Sequence, residues 1–334
     1  MSRGTDLRFF QSYVGSMTEA PVAAIDCGTN SIRLLVTAGG QDLVRQMRIV
    51  RLGQGVDRTG RLDPQAIERT RVALAGYREL IDGHGAEKVR MVATSASRDA
   101  SNAADFQRMV LGTLGQPAEV ISGREEAELS FLGAVAGLPG GTDYVVVDIG
   151  GGSTEFVRGT GDRVSAAVST NIGCVRMTER HVHSDPPTPS QLAALDADVE
   201  NAVRQGLEVG VKSARLVGLA GSVTTVAALA LSLADYDSER IHHSVLTAEE
   251  VARVTEQLSI MDHAARAALN VIHPGRVDVI IAGARILHTI MKLSGQPDVI
   301  VSEHDILDGI AASLSPHLPG TSQNHSLDEH GEHG

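Results

Sequence analysis

The sequence predicts an α/β protein of two similar domains whose facing walls form a cleft. The first observation behind this is a strand–turn–strand motif, Val145-Val146-Val147-Asp148-Ile149-Gly150-Gly151-Gly152-Ser153-Thr154-Glu155-Phe156. A β-branched run meets an acid, three glycines, two hydroxyls and a second acid. The second observation is that the motif occurs twice. Ala24-Ile25-Asp26-Cys27-Gly28-Thr29-Asn30-Ser31-Ile32-Arg33-Leu34-Leu35 aligns with it without a gap, at an offset of 122 residues (Asp148 against Asp26). Gly28 then matches Gly150, Ser31 matches Ser153, and Arg33 falls opposite Glu155. A repeat at that spacing is a duplicated domain, not a solenoid. The third observation is that each motif opens the same alternation of strands and helices, and 334 residues give room for two ordinary domains.

The elements follow in order. Strand 22–27, the Gly28–Asn30 turn and strand 31–37 lead through Gly39-Gly40 to a strand at 42–50. A polar loop, 52–62, ends at Asp63-Pro64, an N-cap and N1 proline that open a helix to Asp82 carrying Ile67, Leu74, Tyr77 and Ile81 at helical spacing. Strand 89–93 enters the loop motif Thr94-Ser95-Ala96-Ser97-Arg98-Asp99; helix 101–113, strand 118–121 and a helix from Ser122-Gly123 to about Gly137 complete a domain at 19–139. The second domain, 140–302, has strands at 143–149, 153–158 and 163–170, helix 174–182, a Pro-rich loop 184–189, helix 190–211 and strand 215–219. Helices at 222–234, 247–260, 263–270 and 276–294 and strand 298–301 follow, with Thr247 and Glu250 forming a capping box. Helix 303–314 is expected to pack back on the first domain. Residues 1–18 read as a poorly ordered leader that includes Met17, and 315–334 as a polar disordered tail whose histidines are solvated.

Composition excludes several classes. With 42% apolar residues but no Trp, the cores are built from Val, Ile, Leu and Ala. A net charge of −12 argues against a nucleic-acid surface. Only Lys88, Lys212 and Lys292 are lysines, so positive charge is nearly all arginine, the side chain suited to bidentate phosphate contacts. Two cysteines, Cys27 and Cys174, make no disulfide framework, and no apolar run reaches membrane-spanning length. The expectation is a cytoplasmic protein without membrane or nucleic-acid partners, a monomer or homodimer.

Glycine turns leave backbone N–H groups bare, so an anion approaches without Cβ obstruction. Thr29, Asn30 and Ser31 on one wall and Gly150, Gly151, Gly152 and Ser153 on the other are therefore candidate phosphate ligands, with Arg33 and Arg98 as candidate charges. Asp148 at a strand end suits a hydrated Mg²⁺, which takes one or two carboxylates plus phosphate oxygens. A phosphoryl transfer also needs an oriented nucleophile. Glu125, Glu126 and Glu128 sit at the start of one helix, and periodicity alone does not choose among them; Glu126 shares a face with Leu129, Ser130 and Gly133.

Six motifs occur in order: Asp26-Cys27-Gly28-Thr29-Asn30-Ser31, Thr94-Ser95-Ala96-Ser97-Arg98-Asp99, Ser122-Gly123-Arg124-Glu125-Glu126-Ala127, Asp148-Ile149-Gly150-Gly151-Gly152-Ser153-Thr154-Glu155, Gly173-Cys174-Val175-Arg176 and Ala220-Gly221-Ser222-Val223-Thr224-Thr225. Over residues 20–315 the set resembles the exopolyphosphatase/guanosine pentaphosphate phosphohydrolase family of the actin and sugar-kinase ATPase superfamily. The resemblance implies two actin-like (ribonuclease H-like) domains and hydrolysis of a terminal phosphate from inorganic polyphosphate, or from guanosine pentaphosphate (pppGpp) in the stringent response. It implies dependence on Mg²⁺, with Mn²⁺ as the alternative. It selects Glu126 as general base, Asp148 as a metal ligand and Glu155 as a second carboxylate supporting metal or water. Arg33, Arg98 and the two turns would hold phosphate, and Arg176 and Arg276 are candidates for a basic track near the cleft. Longer members carry further helical domains, so a smaller gain from long polymer is expected here. A sugar kinase or actin-like ATPase would share the hairpins but needs an adenosine pocket near Ala220-Gly221-Ser222. The Ser-Gly-x-Glu-Glu-Ala motif discriminates against it, and intact Glu126, Asp148 and Glu155 discriminate against a non-catalytic sensor.

Overall fold

The computed structural model describes residues 20–314. The leader at 1–18 and the tail at 315–334 lie outside the described residues. Strands β1 (Val22–Cys27), β2 (Ser31–Ala38) and β3 (Gln41–Ile49) form an antiparallel meander, and β4 (Lys88–Ala93) and β5 (Glu119–Val120) add in parallel, giving the order β3-β2-β1-β4-β5. The second half repeats this order: β6 (Asp143–Ile149), β7 (Thr154–Thr160) and β8 (Arg163–Thr170) are the meander, and β9 (Arg215–Leu219) and β11 (Asp298–Val301) the parallel additions. One short edge strand, β10 (Val245–Thr247), extends it antiparallel to β11. This is the paired α/β architecture that the duplicated hairpin predicts.

In the first half a four-residue α1 (Val56–Thr59) interrupts the loop after β3, and α2 (Pro64–Gly83) follows it. Asp63 caps α2, its Oδ1 accepting from the Gln65 and Ala66 amides at 2.7 and 3.2 Å. Next come α3 (Ser95–Asp99), α4 (Ala103–Leu114) and α5 (Gly123–Ala134). In the second half α6 (Cys174–His181), α7 (Pro189–Gly206), α8 (Ala220–Ala230), α9 (Ser238–Ile241), α10 (Ala248–Ile260), α11 (His263–Ala267) and α12 (Ile280–Ser294) precede the closing helix α13 (Ile306–Leu314). Capping boxes at Thr188/Gln191 and Thr247/Glu250 start α7 and α10. No helix among the described residues is long and apolar enough to cross a membrane.

The layers are set by which faces are apolar. Tyr77, Ile81, Phe106 and Val110 of α2 and α4 cover one face of the first sheet. Helices α7, α8, α10 and α12 cover the far face of the second, where Leu195, Val226, Val254 and Ile286 are fully buried. Between the sheets lie α5 and α13, each packed against the half of the fold that it does not belong to by sequence. Ala127, Phe131 and Ala134 of α5 bury against Tyr144, Val146 and Val217 of the second sheet. Ile306, Leu307 and Ile310 of α13 bury against Ala24, Leu35 and Val92 of the first. The two helices cross at glycines: a Cβ on Gly133 would stand 1.9 Å from the Asp305 carbonyl oxygen, and one on Gly309 would stand 2.1 Å from that of Leu129.

Several boundaries differ from those expected of the sequence. The motif at 94–99 is a helix, α3, not a loop, and Val56–Thr59 is helical within the polar loop. Two elements, α9 and β10, escape the periodic patterns because four and three residues are too few to show one. The strand expected at 118–121 shortens to two residues. Helix α13 starts after Asp305, whose Oδ1 accepts from the Leu307 amide at 3.0 Å while Asp308 accepts from the Asp305 amide at 2.9 Å. This reciprocal cap moves the start from 303 to Ile306.

Three histidines cluster where β11 leaves the second sheet, the ring of His242 stacking on that of His243 at 3.7 Å and lying tilted to that of His304 at 4.4 Å. The Glu303 amide donates to His242 Nδ1 at 3.2 Å. Burial, then the neighbouring His243 and His304, lowers the pKa of His242 from 6.5 to about 4. The unfolded chain therefore binds more protons than the folded one between those values, and stability present above pH 6.5 is lost as pH falls toward 4. A His242→Asn variant is expected to show a shallower fall of the thermal midpoint between pH 7 and 5, measured by circular dichroism; a slope equal to the wild type's would remove His242 from the acid response.

Candidate active site

The two glycine hairpins are equivalent in detail. Gly28 N donates to Ser31 O at 3.0 Å, and Gly150 N to Ser153 O at 3.0 Å. Asp26 pairs across its strands with Arg33, and Asp148 with Glu155, so each pair lies on one face of its sheet. The turns also touch. A Cβ on Gly151 would lie 2.9 Å from Thr29 Cβ, and one on Gly152 would lie 2.8 Å from Ser95 Oγ and 2.9 Å from Thr29 Oγ1. These glycines thus serve close approach of the two walls as well as bare amides.

A cavity of ≈ 90 Å³ remains between the walls. Thr29, Asn30, Ser31, Arg33, Gly150, Gly151 and Ser153 line it, together with Glu126 and Asp148. Gly152, Arg98 and Glu155, expected at the site from the sequence, are not among the residues that line it. Glu155 is 1% exposed; its Oε1 accepts from Ser169 Oγ at 2.8 Å, and its Oε2 has no partner. Asn30 Oδ1 is likewise buried without a partner. Asp148 accepts from Ser130 Oγ at 2.8 Å.

Helix α5 separates its three glutamates. Glu126 is 8% exposed and faces the cavity, while Glu125 pairs with Arg90 at 3.0 Å and Glu128 with Arg124 at 3.0 Å on the surface. Glu126, Asp148 and Glu155 all have raised pKa values. Burial is the first cause in each; charge on Glu155 and Asp148 adds to it for Glu126, and charge on Asp148 adds to it for Glu155, while for Asp148 the Arg33 charge opposes, with Asp305 and Asp26 raising it further. Arg98 opposes the shift on Glu126 by pairing with it at 3.4 Å, and donates to the Ile121 carbonyl at 2.9 Å.

Arg33 points into the cavity, but Asp26 accepts from its Nε and Nη2 at 3.0 and 2.7 Å, and Asp305 pairs with its Nη1. The guanidinium is thus held by two buried acids. Asp305 had no signal in the periodicity; the Asp305-x-x-Asp308 cap ahead of an apolar run is what could have drawn attention to it. Arg276, from the second half of the chain, lines the cavity and donates to Met47 Sδ at 3.2 Å. Arg176 lies off this wall, against Gly152 and Asp57. A second compartment of ≈ 400 Å³ adjoins, sharing Arg33, Ala220, Gly221 and Arg276 and adding Gln46, Tyr236, Asn270 and Glu303. Cys27 and Cys174 are buried free thiols whose pKa values burial raises.

Among the described residues no three His, Cys, Asp or Glu side chains converge closely enough to hold a metal by themselves. A hard cation such as Mg²⁺ needs fewer, completing its shell with water and phosphate oxygens. The all-oxygen donor set, the orphaned Glu155 Oε2 and the cross-strand Asp148 fit that requirement.

A sequence model of the Ppx/GppA phosphatase family matches residues 35–317. The chain is 49% identical to "Exopolyphosphatase 2" of Mycobacterium tuberculosis, over 88% of this chain and 98% of that protein. Among solved structures, an exopolyphosphatase-like protein superposes with a TM-score of 0.84 at 40% identity, covering 87% of this chain and 98% of the other. The Aquifex aeolicus member of the Ppx/GppA family superposes at 0.75 and 33%, covering 88% and 96%.

Proposed function

The chain belongs to the Ppx/GppA phosphatase family, and from that premise we propose that it is an exopolyphosphatase releasing the terminal phosphate of inorganic polyphosphate with Mg²⁺. The observation that carries the reading is the convergence of Glu126 and Asp148 with two bare-amide hairpins on one small cavity. The terminal phosphoryl group lies between Thr29-Asn30-Ser31 and the Gly150–Ser153 turn, whose N–H and hydroxyl groups bind its oxygens. Glu126 accepts a proton from a water on the α5 side. That water's oxygen bonds to phosphorus as the bridging P–O bond breaks, and the shortened chain leaves as an oxyanion. A divalent cation held by Asp148 and Glu155 would neutralise charge on the phosphoryl oxygens. Arg33, held by Asp26 and Asp305, turns a fixed positive charge toward the same group.

Phosphate release measured in parallel from short polyphosphate, long polyphosphate, guanosine pentaphosphate and ATP, with and without Mg²⁺, tests this. Short and medium polyphosphate are expected to exceed ATP by a wide margin. Cleavage of ATP at a matching rate, with its γ-phosphoryl group transferred to an added acceptor in place of water, would move the protein to the kinase class. Guanosine pentaphosphate is the second reading, favoured by the adjoining ≈ 400 Å³ compartment, which has room for a nucleoside beyond the cleaved phosphate.

Asp148→Asn exchanges an anionic oxygen ligand for a neutral one and is expected to raise the Mg²⁺ concentration needed for half-maximal activity. A metal titration overlaying the wild type's would take Asp148 out of the metal site.

A further inference from the structure

We propose that Asp57 is a positioning residue: from the first domain it fixes, through Arg176, the glycine turn that grips phosphate on the second. The proposal rests on the reading of Gly150–Ser153 as a phosphate turn and names a residue outside the cavity wall on which its geometry depends.

Asp57 sits in α1, on a loop tied to the first hairpin. The Val50 and Arg51 amides donate to Asn30 O at 3.0 and 2.9 Å, and Gly53 N to Thr29 O at 2.9 Å. Across the domain boundary, Asp57 accepts from Arg180 Nε and Nη2 at 3.1 and 3.0 Å and pairs with Arg176 Nη1. Arg176 Nε in turn donates to Gly152 O at 2.7 Å. The same helix holds the rest of the turn, with the Cys174 amide donating to Gly150 O at 2.9 Å and the Val175 amide to Gly151 O at 2.9 Å. With its carbonyls drawn toward α6, the turn keeps its remaining amides for a ligand.

The two phosphate hairpins are therefore linked behind the cavity by a short polar chain: Thr29–Asn30, the 50–57 loop, Asp57, Arg176, Gly152. Nearby, Gly55 N donates to both oxygens of Glu179 at 3.0 and 3.2 Å, reinforcing the same crossing. Partly exposed ion pairs contribute little to stability. The domains are already joined by the α5–α13 crossing, so the link contributes little to holding the fold. Its consequence is geometric: it sets how closely Gly151 and Gly152 approach Thr29 and Ser95, and a displacement of about 1 Å at a reacting centre can cost about 10²-fold in rate.

The test compares Asp57→Ala and Asp57→Glu with wild type in three measurements: steady-state phosphate release from polyphosphate, thermal midpoint, and hydrogen exchange of the segment 149–156. Asp57→Ala is expected to lower kcat roughly 10- to 100-fold with little change in KM, to leave the midpoint within about 2 °C, and to speed exchange in 149–156. Asp57→Glu, which keeps the charge, is expected to recover most of kcat. Unchanged kcat and exchange in Asp57→Ala would overturn the proposal. So would a fall in kcat that tracks the midpoint and is not recovered by Asp57→Glu, since that is a folding defect. If wild type itself releases no phosphate from polyphosphate, the functional reading fails, and the exchange comparison still decides whether Asp57 holds the turn.

Discussion

Glu126→Gln is expected to lower phosphate release from polyphosphate by about 10²–10⁴-fold, the usual contribution of a positioned base, while leaving fold and phosphate binding intact. The amide has the shape of the carboxylate but does not accept the proton of the attacking water. Glu126 is also the glutamate of α5 that faces the cavity, 8% exposed and paired only distantly with Arg98. Glu125→Gln and Glu128→Gln remove partners from surface ion pairs with Arg90 and Arg124 and are expected to stay near wild-type turnover. Steady-state assays of the three variants at saturating Mg²⁺ make the comparison. A damaging Glu125→Gln beside a mild Glu126→Gln would overturn the assignment.

Gly133→Ala is expected to destabilise the protein by about 3 kcal/mol or more, at the upper end of the cost of overpacking. The added methyl would stand 1.9 Å from the Asp305 carbonyl oxygen, a backbone atom that cannot rotate away. Helices α5 and α13 must then move apart. The gain of about 1 kcal/mol in helix propensity does not offset this. The effect reaches the site as well. Asp305 starts α13 and pairs with Arg33, and Ser130 on α5 donates to Asp148. Turnover should therefore fall with the thermal midpoint in Gly133→Ala, whereas Glu126→Gln should lower turnover alone. Thermal denaturation followed by circular dichroism checks the first; a midpoint equal to wild type would show that the helices do not cross this closely in solution.

Much of the site was legible because its chemistry is local. A strand followed by glycines and hydroxyls must turn, and a turn presents its amides whatever surrounds it. The repeated spacing brought out both hairpins, and Thr29, Asn30, Ser31, Gly150, Gly151 and Ser153 do share one cavity. Arg33 and Arg98 show the limit. Spacing gave each a charge near the cavity, but their partners, Asp26 with Asp305 and Glu126 with Ile121, are brought in by strand pairing and by helices distant in sequence.

By itself, then, the sequence determined the duplicated α/β halves, through a motif repeated at an offset of 122 residues. It also determined the two phosphate-type hairpins and the helix that carries the candidate base, since these rest on periodicity or turn chemistry within a dozen residues. The tertiary structure alone decided which glutamate of α5 is buried, that Asp305 closes on Arg33, that Gly133 and Gly309 admit two crossing helices, and that Asp57 reaches Arg176. Each of these is a meeting of side chains or backbones set by how layers stack, and no short-range pattern encodes how far apart two layers come to rest.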